Sequence, residues 1–410
     1  MLDIKKIREN PEYFRKATAD KQRDPKLVDE LLKIDEEKRK IQREVENLRA
    51  ERNKLSKEDI QKGREIKQRL NQLENQLKDL EKRLDEVMLK LPNPATTETP
   101  IGKDESGNIV IKKWGAPPNF TFPIKDNLVI GEALELIDVA RAAKVSGTRF
   151  GYLRNEAVLL EFALIRYGID FLLKKGFSPI LPPMMIQKEV MLALGYNNYS
   201  FEETYIIPED NFCLVATAEH SIVPFFKDEI LREEELPKRF VGFSAGFRRE
   251  AGSYGKDTKG IFRVHQFNKL EMVSFTKPED SPKEHEFLLS IEEKLMQGLK
   301  LPYQVVKICS GDLGDPAAAK FDIEAWFPSQ NKYRETHSTS NCTDYQSRRL
   351  NIKFKRKTGE IEFVHILNGT VFSERPILAI LENYQQADGS VVVPEVLRDY
   401  VGKEVISPKR

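Results

Sequence analysis

Two runs of apolar residues, spaced by three and four positions, occupy most of residues 28–91. Such a stripe puts apolar side chains on one helix face and is typical of a coiled-coil seam. Polar residues from Ser56 to Gly63 interrupt the stripe, so two helices are predicted to fold back as an antiparallel arm. At about 1.5 Å per residue, each helix is roughly 40–45 Å long. The first run is Leu31, Ile34, Ile41, Val45, Leu48 and Leu55, with Lys38 and Arg52 interrupting it, and the second is Ile66, Leu70, Leu73, Leu77, Leu80, Leu84, Val87 and Leu91.

Proline and glycine residues mark the exit from the second predicted helix, at Pro92, Pro94, Pro100, Gly102 and Gly107. These residues favour turns over regular structure. We therefore divide the chain into an N-terminal domain over residues 1–91, whose arm covers about 28–91, a hinge and packing segment over 92–114, and a body over 115–410.

The body mixes helical segments with stretches that alternate between apolar and polar residues, such as Phe363 to Leu367. Alternation gives a strand one apolar face, which suits an antiparallel sheet covered by helices. An α+β fold is therefore predicted. A Rossmann sheet is the structural rival, but the sequence has no strand-linked GxGxxG.

Charge is balanced over the chain and uneven within it. Lys and Arg number 66 and Asp and Glu 65, so net charge does not indicate a polyanionic partner. The tip of the predicted arm is basic, which suits contacts with phosphates at a distance, although a coiled coil can also be a dimerisation rod. The basic residues are Arg52, Lys54, Lys57, Lys62, Arg64, Lys67 and Arg69, against only Glu58, Asp59 and Glu65.

Cysteine and histidine are sparse. The three cysteines form no CxxC pair, which argues against a disulfide scaffold and a cysteine-rich zinc site, and the five histidines are scattered. No zinc is expected. The N-terminus lacks the apolar core of a signal peptide, and no apolar run is long enough to span a membrane. The sequence therefore predicts a cytoplasmic protein.

Residues 243–272 carry the densest chemistry in the chain. They predict a strand from Val241 to Phe247, a polar loop with Gly252, Gly255 and Gly260, and a returning strand from Phe262 to Val273. Guanidinium groups clamp phosphate oxygens, an aromatic ring stacks on a base, and carboxylates recognise amino groups. These features together indicate a site for a nucleotide beside an amino acid. The residues that offer them are Arg248, Arg249, Glu250, Arg263, Phe267 and Glu271.

This segment resembles motif 2 of class II aminoacyl-tRNA synthetases, and in particular that of the seryl-tRNA synthetase family. The resemblance extends over essentially the full chain, with the motifs in family order. Residues 177–183 (FSPILPP) resemble motif 1, residues 217–219 (TAE) the serine-site signature, residues 321–326, 334–335 and 340–344 the next active-site block, and Arg375 with residues 379–385 motif 3.

The resemblance implies an ATP-dependent ligase that joins L-serine to tRNA(Ser) through seryl-adenylate, with tRNA(Sec) as an optional second substrate. It implies that Arg248 contacts the α-phosphate and the serine carboxylate, and that Arg248 and Arg375 are the catalytic residues. Glu250 would read the adenine amino group, Phe267 would stack on the ring, and Arg263 and Arg375 would hold the γ-phosphate. The ATP site would also include Arg249, Val264, Thr336 and His337, with Glu335 and Ser338 holding Mg²⁺.

The serine site implied by the resemblance consists of Thr217, Ala218, Glu219, Arg248, Glu271 and Thr370. A carboxylate and hydroxyls suit the α-ammonium group, and a pocket built around the serine hydroxyl rejects alanine by about 10⁴–10⁵. His265 is expected to be a structural strand residue. The motif 2 loop, residues 252–259, is a candidate guide for the tRNA 3′ end.

Motif 1 and the preceding helix, residues 157–175, resemble the class II dimer interface, so a homodimer is expected. The sequence departs from the family pattern at two places: residues 368–375 are one residue shorter than usual, which affects the position of Thr370, and His337 stands where a small residue is common. Two rival functions are an enzyme that loads an amino acid on a carrier protein and a catalytically inactive tRNA-binding protein.

Overall fold

The computed structural model of the chain describes residues 2–56, 59–196, 202–251 and 259–408. These residues form two compact units, Met1–Pro94 and Ala95–Arg410.

The N-terminal unit is helical, and capping residues fix where its first helices begin. The carboxylate of Asp3 accepts a hydrogen bond from Lys5 N (2.9 Å), and the side chain of Asn10 accepts one from Tyr13 N (3.3 Å). The helices are α1 (Ile4–Glu9), α2 (Pro11–Asp20), α3 (Lys26–Arg52) and α4 (Ile60–Lys90).

Helices α3 and α4 run antiparallel. Glu51 near the end of α3 pairs with Lys62 near the start of α4 (2.8 Å), whereas Lys38, earlier in α3, pairs with Glu81, later in α4 (3.1 Å). The apolar positions of the two runs face each other, and most of them are buried. The predicted two-helix arm is thus confirmed.

The connection between α3 and α4 is shorter than the sequence predicts. Because α4 begins at Ile60, Gly63 lies inside the helix rather than in the break. The carboxylate of Asp59 accepts hydrogen bonds from Ser56 N and Oγ, both at 2.8 Å, and its carbonyl accepts one from Gly63 N at 2.9 Å. These bonds close the turn and start the helix ahead of the glycine.

The second unit alternates short helices with strands. Its helices are α5 (Asn127–Ala133), α6 (Val139–Ser146), α7 (Glu156–Leu173), α8 (Lys188–Ala193), α9 (Glu219–Ile222), α10 (Ser281–Gly298), α11 (Tyr345–Leu350), α12 (Arg375–Asn383) and α13 (Arg398–Val401). Its strands are β1 (Ile109–Trp114), β2 (Ile137–Asp138), β3 (Tyr152–Leu153), β4 (Ser178–Ile180), β5 (Met185–Gln187), β6 (Ile206–Ile207), β7 (Phe212–Leu214), β8 (Ile230–Arg232), β9 (Lys238–Phe247), β10 (Gln266–Thr276), β11 (Tyr303–Lys307), β12 (Ala319–Phe327), β13 (Lys332–Asn341), β14 (Lys353–Lys355), β15 (Ile361–Phe363), β16 (His365–Ser373), β17 (Val391–Val392) and β18 (Val405–Ile406).

One large sheet organises this unit. Over the described residues it has eight strands in the order β1-β11-β12-β13-β16-β10-β9-β4. Neighbouring strands are antiparallel, except that β4 and β9 are parallel at one edge. An antiparallel sheet flanked by helices is the predicted α+β architecture, which is confirmed.

Strand β1 lies within the segment that the sequence analysis treats as a hinge and packing segment. It pairs with β11 from Ile109 opposite Lys307 to Trp114 opposite Tyr303. The indole of Trp114 stacks on the ring of Tyr303, with centroids 5.6 Å apart. This segment therefore includes an edge strand of the large sheet.

Helices α7, α10 and α12 bury one face of the large sheet. Leu160 of α7 and Ile291 of α10 belong to the same buried cluster as Leu270 of β10. Because side chains alternate between the two faces of a strand, Lys269 and Glu271 point away from these helices. The opposite face carries these two polar residues, and further along β10 the same face is covered by α9, where Val273 and Phe275 are buried with Ile222.

The returning strand of motif 2 begins later than predicted, at Gln266 instead of Phe262. His265 N donates a hydrogen bond to the carbonyl of Arg149 (3.0 Å), so this residue is drawn out of the ladder with β9. Arg263, Val264 and His265 consequently lie in a turn ahead of β10 and not on a strand.

Candidate active site

A cavity of about 660 Å³ opens on the polar face of the large sheet. Strands β10, β13 and β16, the start of α12 and the turn ahead of β10 supply its walls. The cavity brings together most of the residues that the sequence singles out: Thr217, Glu219, Arg248, Glu250, Arg263, Val264, Phe267, Glu271, Glu335, Thr336, Ser338, Thr370 and Arg375.

A β-bulge in β13 puts the two proposed magnesium ligands on one face. Glu335 and Ser338 are three residues apart and would point to opposite faces of a regular strand. In the register with β12, His337 and Glu335 have partners but Thr336 between them has none, so Thr336 is an extra residue. As a result, Glu335 and Ser338 both line the cavity.

A second bulge lies in β16, within the segment that is shorter than the family pattern. Thr370 pairs with Glu271 and Phe372 pairs with Leu270, which leaves Val371 as the extra residue. Thr370 thereby lines the cavity directly across from Glu271.

Arginine side chains gather at one end of the cavity. Arg263 Nη1 lies 2.7 Å from Glu250 Oε2, and Arg375 Nη1 lies 3.1 Å from Glu335 Oε2. The Arg248 guanidinium lies over the ring of Phe267 at 5.1 Å from its centroid. Three positive groups beside an aromatic face suit a nucleotide phosphate chain and its base.

Phe262 supports this end from outside the predicted set. The guanidinium of Arg375 lies 4.7 Å from the centre of its ring, and that of Arg334 lies 4.0 Å from it. A ring held between charged neighbours fixes the direction of Arg375.

The charge states of the acidic residues at this end are set by their neighbours. Burial works to raise the pKa of Glu335, but the positive charges of Arg375 and Lys320 outweigh it and lower that pKa to about 2. Burial raises the pKa of Asp322 to about 7, and Lys320, at 3.6 Å from Oδ1, only partly offsets it. Glu335 is thus a stable carboxylate.

These residues fit Mg²⁺, which binds through hard oxygen atoms and needs only one or two carboxylates besides phosphate and water. Glu335 offers a carboxylate, Ser338 a hydroxyl, and Asp322 Oδ1 is buried without a hydrogen bond. Among the described residues, no group of three or more His, Cys, Asp or Glu side chains could hold a metal by itself.

Buried carboxylates occupy the other end of the cavity. Glu271 is 1% exposed, and its Oε2 lies 2.6 Å from Lys269 Nζ. Glu219 Oε1 accepts a hydrogen bond from Gln346 Nε2 at 3.2 Å. Burial, and then the nearby charge of Glu271, raise the pKa of Glu219 to about 7. Such an end suits an ammonium group.

Three predicted residues do not line the cavity. Ala218 is fully buried, and its carbonyl accepts hydrogen bonds from Ser221 N (3.1 Å) and Ile222 N (3.0 Å) at the start of α9. Arg249 is exposed, and its backbone N donates a hydrogen bond to the carbonyl of Glu203 (2.9 Å).

His337 points into the core instead. Its Nδ1 lies 2.9 Å from Thr336 Oγ1, and its ring packs on Phe372 at 5.7 Å between centroids. Burial lowers the pKa of His337 to about 4. The His337 ring is therefore neutral and packs in the core beside the bulge at Thr336. This is the larger side chain that stands where the family commonly has a small residue.

His265 binds the motif 2 hairpin together. Its Nδ1 lies 3.0 Å from the carbonyl of Arg248, and its own carbonyl accepts a hydrogen bond from Arg248 N at 2.9 Å. It has the structural position that was expected, although in a turn.

Several lining residues have no place in the sequence analysis. Lys269 could have been found, because it is two residues before Glu271 and shares its strand face. Lys320 and Asp322 share a strand face in the same way, on β12. The segment Leu313–Ala317 carries no motif that would have indicated it. Lining residues for which the sequence indicates no individual role include Tyr196, His220, Phe262, Lys269, Gly314, Asp315, Lys320, Ser340, Asn368 and Ser373.

The basic tip of the arm is divided between paired and unpaired cations. Lys62 pairs with Glu51 (2.8 Å) and Arg69 with Glu44 (2.7 Å). Among the residues that the structure describes, Arg52, Lys54, Arg64 and Lys67 have no ion pair. Lys57 and Glu58, and the motif 2 loop from 252 to 258, lie outside the described residues.

Within the described ranges, no helix is both long and apolar enough to cross a membrane.

Comparisons with known proteins match both the N-terminal part and the body of the chain to aminoacyl-tRNA synthetases. The seryl-tRNA synthetase N-terminal domain matches residues 1–95, and the class II tRNA synthetase core domain (G, H, P, S and T) matches residues 199–384. The serine–tRNA ligase of Dictyoglomus thermophilum is 50% identical over 325 residues, which is 79% of this chain and 76% of that protein. The serine–tRNA ligase of Corynebacterium diphtheriae is 41% identical over 420 residues, which is 100% of both chains.

A solved structure agrees as well. The seryl-tRNA synthetase of Pyrococcus horikoshii, complexed with ATP, superposes with a TM-score of 0.95 at 42% identity, and the match covers 100% of both chains. The predicted resemblance is thereby confirmed: this chain belongs to the seryl-tRNA synthetase family of class II aminoacyl-tRNA synthetases.

Proposed function

We propose that the cavity activates L-serine with ATP, and that this serine–tRNA ligase then transfers serine to the 3′ end of tRNA(Ser). One observation carries the proposal: a single cavity has Arg248, Arg263 and Arg375 at one end and the buried carboxylates of Glu219 and Glu271 at the other. In the reaction, a serine carboxylate oxygen attacks the α-phosphorus of ATP, the new P–O bond forms seryl-adenylate, and pyrophosphate leaves.

The nucleotide end has a partner for each part of ATP. Phe267 stacks on adenine, and Glu250, held by Arg263, accepts from the adenine amino group. Arg263 and Arg375 bind the γ-phosphate, and Val264 and Thr336 line the cavity beside them, whereas Arg249 and His337 do not line it. Arg248, beside Phe267, binds the α-phosphate and the serine carboxylate, where negative charge develops in the transition state.

Glu335 and Ser338 would hold Mg²⁺, which neutralises the triphosphate when bound. The ion pair between Glu335 and Arg375 keeps the carboxylate ionised and next to the γ-phosphate residues.

The serine end is built for a small zwitterion with a hydroxyl group. Glu219, Glu271 and the hydroxyl of Thr217 surround the α-ammonium, and Ala218 holds Glu219 in place from the start of α9. The hydroxyl of Thr370, across from Glu271, leaves a polar partner for the serine hydroxyl. Alanine would leave these buried groups unpaired.

The proposal also includes tRNA and a second copy of the chain as partners. Arg52, Lys54, Arg64 and Lys67, which have no ion pair within the described part of the arm, suit the phosphates of tRNA(Ser), and of tRNA(Sec) where the host has it. The apolar surface of α7, where Phe162 is 62% exposed, suits a second copy of the chain in a homodimer. The proposed location is the cytoplasm, as predicted from the sequence.

Serine-dependent ATP–pyrophosphate exchange tests the proposal. Purified protein with Mg²⁺ is assayed with serine, threonine, alanine, glycine and cysteine, and Arg248→Ala is the control. We expect exchange with serine alone, and its loss in the control. Folded protein that exchanges with none of these amino acids would contradict the proposal and favour the inactive tRNA-binding protein. Aminoacylation of tRNA(Ser) rather than of a carrier protein separates the other rival.

A further inference from the structure

Lys269 lines the serine end of the cavity and has no role in the function proposed above. Its side chain is 13% exposed, and its Nζ lies 2.6 Å from Glu271 Oε2. The same Nζ lies 3.5 Å from Thr217 Oγ1. A lysine ammonium is therefore in contact with two groups proposed to bind the ammonium of serine.

The contact with Glu271 is an ion pair more than an aligned hydrogen bond, because Oε2 accepts no hydrogen bond of normal geometry. It leaves Oε1 of the same carboxylate for another partner. Thr370 lies directly across from Glu271 on the facing strand. Lys269 and Thr370 thus flank the carboxylate from two sides.

Charge balance gives Lys269 a second effect. Glu219 and Glu271 are both buried, and each disfavours ionisation of the other. Arg248 also acts on both carboxylates, but its guanidinium lies over the ring of Phe267. Without Lys269, one of these carboxylates would take up a proton, and a neutral carboxyl group binds an ammonium weakly.

We propose that Lys269 is a positioning residue for amino-acid binding, which holds Glu271 by Oε2 so that the remaining oxygen receives the α-ammonium of serine. The inference rests on the proposed serine site. It assigns Lys269 to amino-acid affinity and not to the nucleotide, since its contacts are Glu271 and Thr217.

The test measures KM for serine and KM for ATP separately by pyrophosphate exchange, in Lys269→Met, Lys269→Arg and the wild-type protein. Removing one partner of a buried ion pair weakens what the other binds, so Lys269→Met is expected to raise KM for serine about 10-fold or more and to leave KM for ATP within about twofold. Lys269→Arg restores the charge and much of the affinity. Lys277→Met is the matched control, because Lys277 follows the same strand but pairs with Glu279 and Asp280 outside the cavity.

A lower melting temperature of Lys269→Met with an unchanged KM for serine would overturn the inference, because Lys269 would then be structural only. An equal rise in both KM values would overturn it as well. If the wild-type protein shows no serine-dependent exchange, the proposed function itself fails.

A double variant keeps the inference testable if Lys269→Met does not fold. In Glu271→Gln, the buried charge is gone, so adding Lys269→Met is expected to change KM for serine by less than about twofold. A further large rise in the double variant would mean that Lys269 acts by a route other than Glu271, and would overturn the inference.

Discussion

Single residues in this cavity differ in charge because their surroundings differ. Glu335 and Glu219 are the same amino acid, yet the cations Arg375 and Lys320 lower the pKa of the first to about 2, whereas burial raises that of the second to about 7. A permanent carboxylate suits a metal and a phosphate chain. A carboxyl group that titrates near neutrality makes amino-acid binding depend on pH.

Glu219→Gln is expected to remove this pH dependence. In the wild-type protein, Glu219 ionises as pH rises through about 7, so kcat/KM for serine should rise roughly tenfold between pH 6 and pH 8. The amide of the variant does not titrate, and its kcat/KM should be low and flat over this range. Pyrophosphate exchange at fixed ATP measures both profiles. An unchanged slope in the variant would assign the titration to another group.

His285 of α10 should make the folded state sensitive to acid. Its Nε2 donates to the carbonyl of Thr339 (3.0 Å), and burial lowers its pKa to about 4. The folded pKa lies below that of the unfolded chain, so the stability that the neutral ring supports is complete above about pH 6.5 and is lost as pH falls towards 4. The slope from this one group is at most about 1.4 kcal/mol per pH unit.

His285→Gln keeps a donor but cannot take up a proton, so its free energy of unfolding should fall less steeply over that window. Urea unfolding at pH 7.5, 6 and 5 measures the difference between the two proteins. If the free energy of unfolding falls equally with pH in both proteins, the acid sensitivity does not come from His285.

Motif residues such as Arg248, Phe267 and Arg375 could be found in the sequence because residue type and local order identify them. His337 could not be placed, because a bulge one residue away decides which face it takes. Phe262 acts through Arg375 and Arg334, whose positions depend on strands far away in sequence.

At the scale of elements, the motif 2 hairpin brings backbone very close to the aromatic platform. A Cβ on Gly246 of β9 would lie 2.6 Å from the carbonyl oxygen of Ala216 and 2.9 Å from the Phe267 ring. Movement of the ring would relieve only the second contact, so the backbone at Gly246 or Ala216 would have to shift as well. Gly246 is thus required by a close approach and not by its dihedral angles.

Gly246→Ala is expected to displace Phe267 and raise KM for ATP by about 10-fold or more, because small misplacements are costly in a binding site. Gly63→Ala in α4 is a matched control, since its Cβ would lie 3.7 Å from the nearest atom, Leu55 Cδ1. The control should keep KM for ATP. An unchanged KM in Gly246→Ala would show that the ring is not held by this contact.

Long periodic elements were predictable and short ones were not. The apolar spacing of α3 and α4 is sustained over many turns, so the arm could be predicted from sequence alone. Strand β1 is exposed along most of its length and has no alternating burial, and it could not be told from a linker. Its position depends on contacts such as that between Trp114 and Tyr303.

For the whole molecule, the ion pairs of the arm divide its cations into two groups with different expected effects on tRNA. Arg64→Ala combined with Lys67→Ala should raise KM for tRNA about 10-fold and reduce its salt dependence, because each free cation that meets a phosphate releases a counterion. Lys62→Ala removes a charge already paired with Glu51 and should have a smaller effect.

Aminoacylation at several salt concentrations measures these effects on tRNA, and tRNA-independent pyrophosphate exchange should stay unchanged in every arm variant. Equal effects of the paired and unpaired sites would mean that the arm acts only through its net charge.

The homodimer is also testable at this scale. Phe162 is 62% exposed on α7, and Leu181 is 77% exposed just after β4. Large apolar side chains that are exposed in this way suit a contact with another protein chain. Phe162→Glu is expected to convert a dimer to a monomer in sedimentation experiments. A wild-type protein that sediments as a monomer would contradict the proposal.

The bulges at Thr336 and Val371 have a consequence for how this family can change in length. An inserted or deleted residue in a strand normally turns every later side chain to the other face. A bulge residue can be added or removed without turning the later side chains, and Val371 is such a residue in the segment 368–375, from which Thr370 and Arg375 reach the cavity. Gaps inside the strands of aligned relatives are therefore compatible with an intact site, and a gap opposite a bulge is the one to expect.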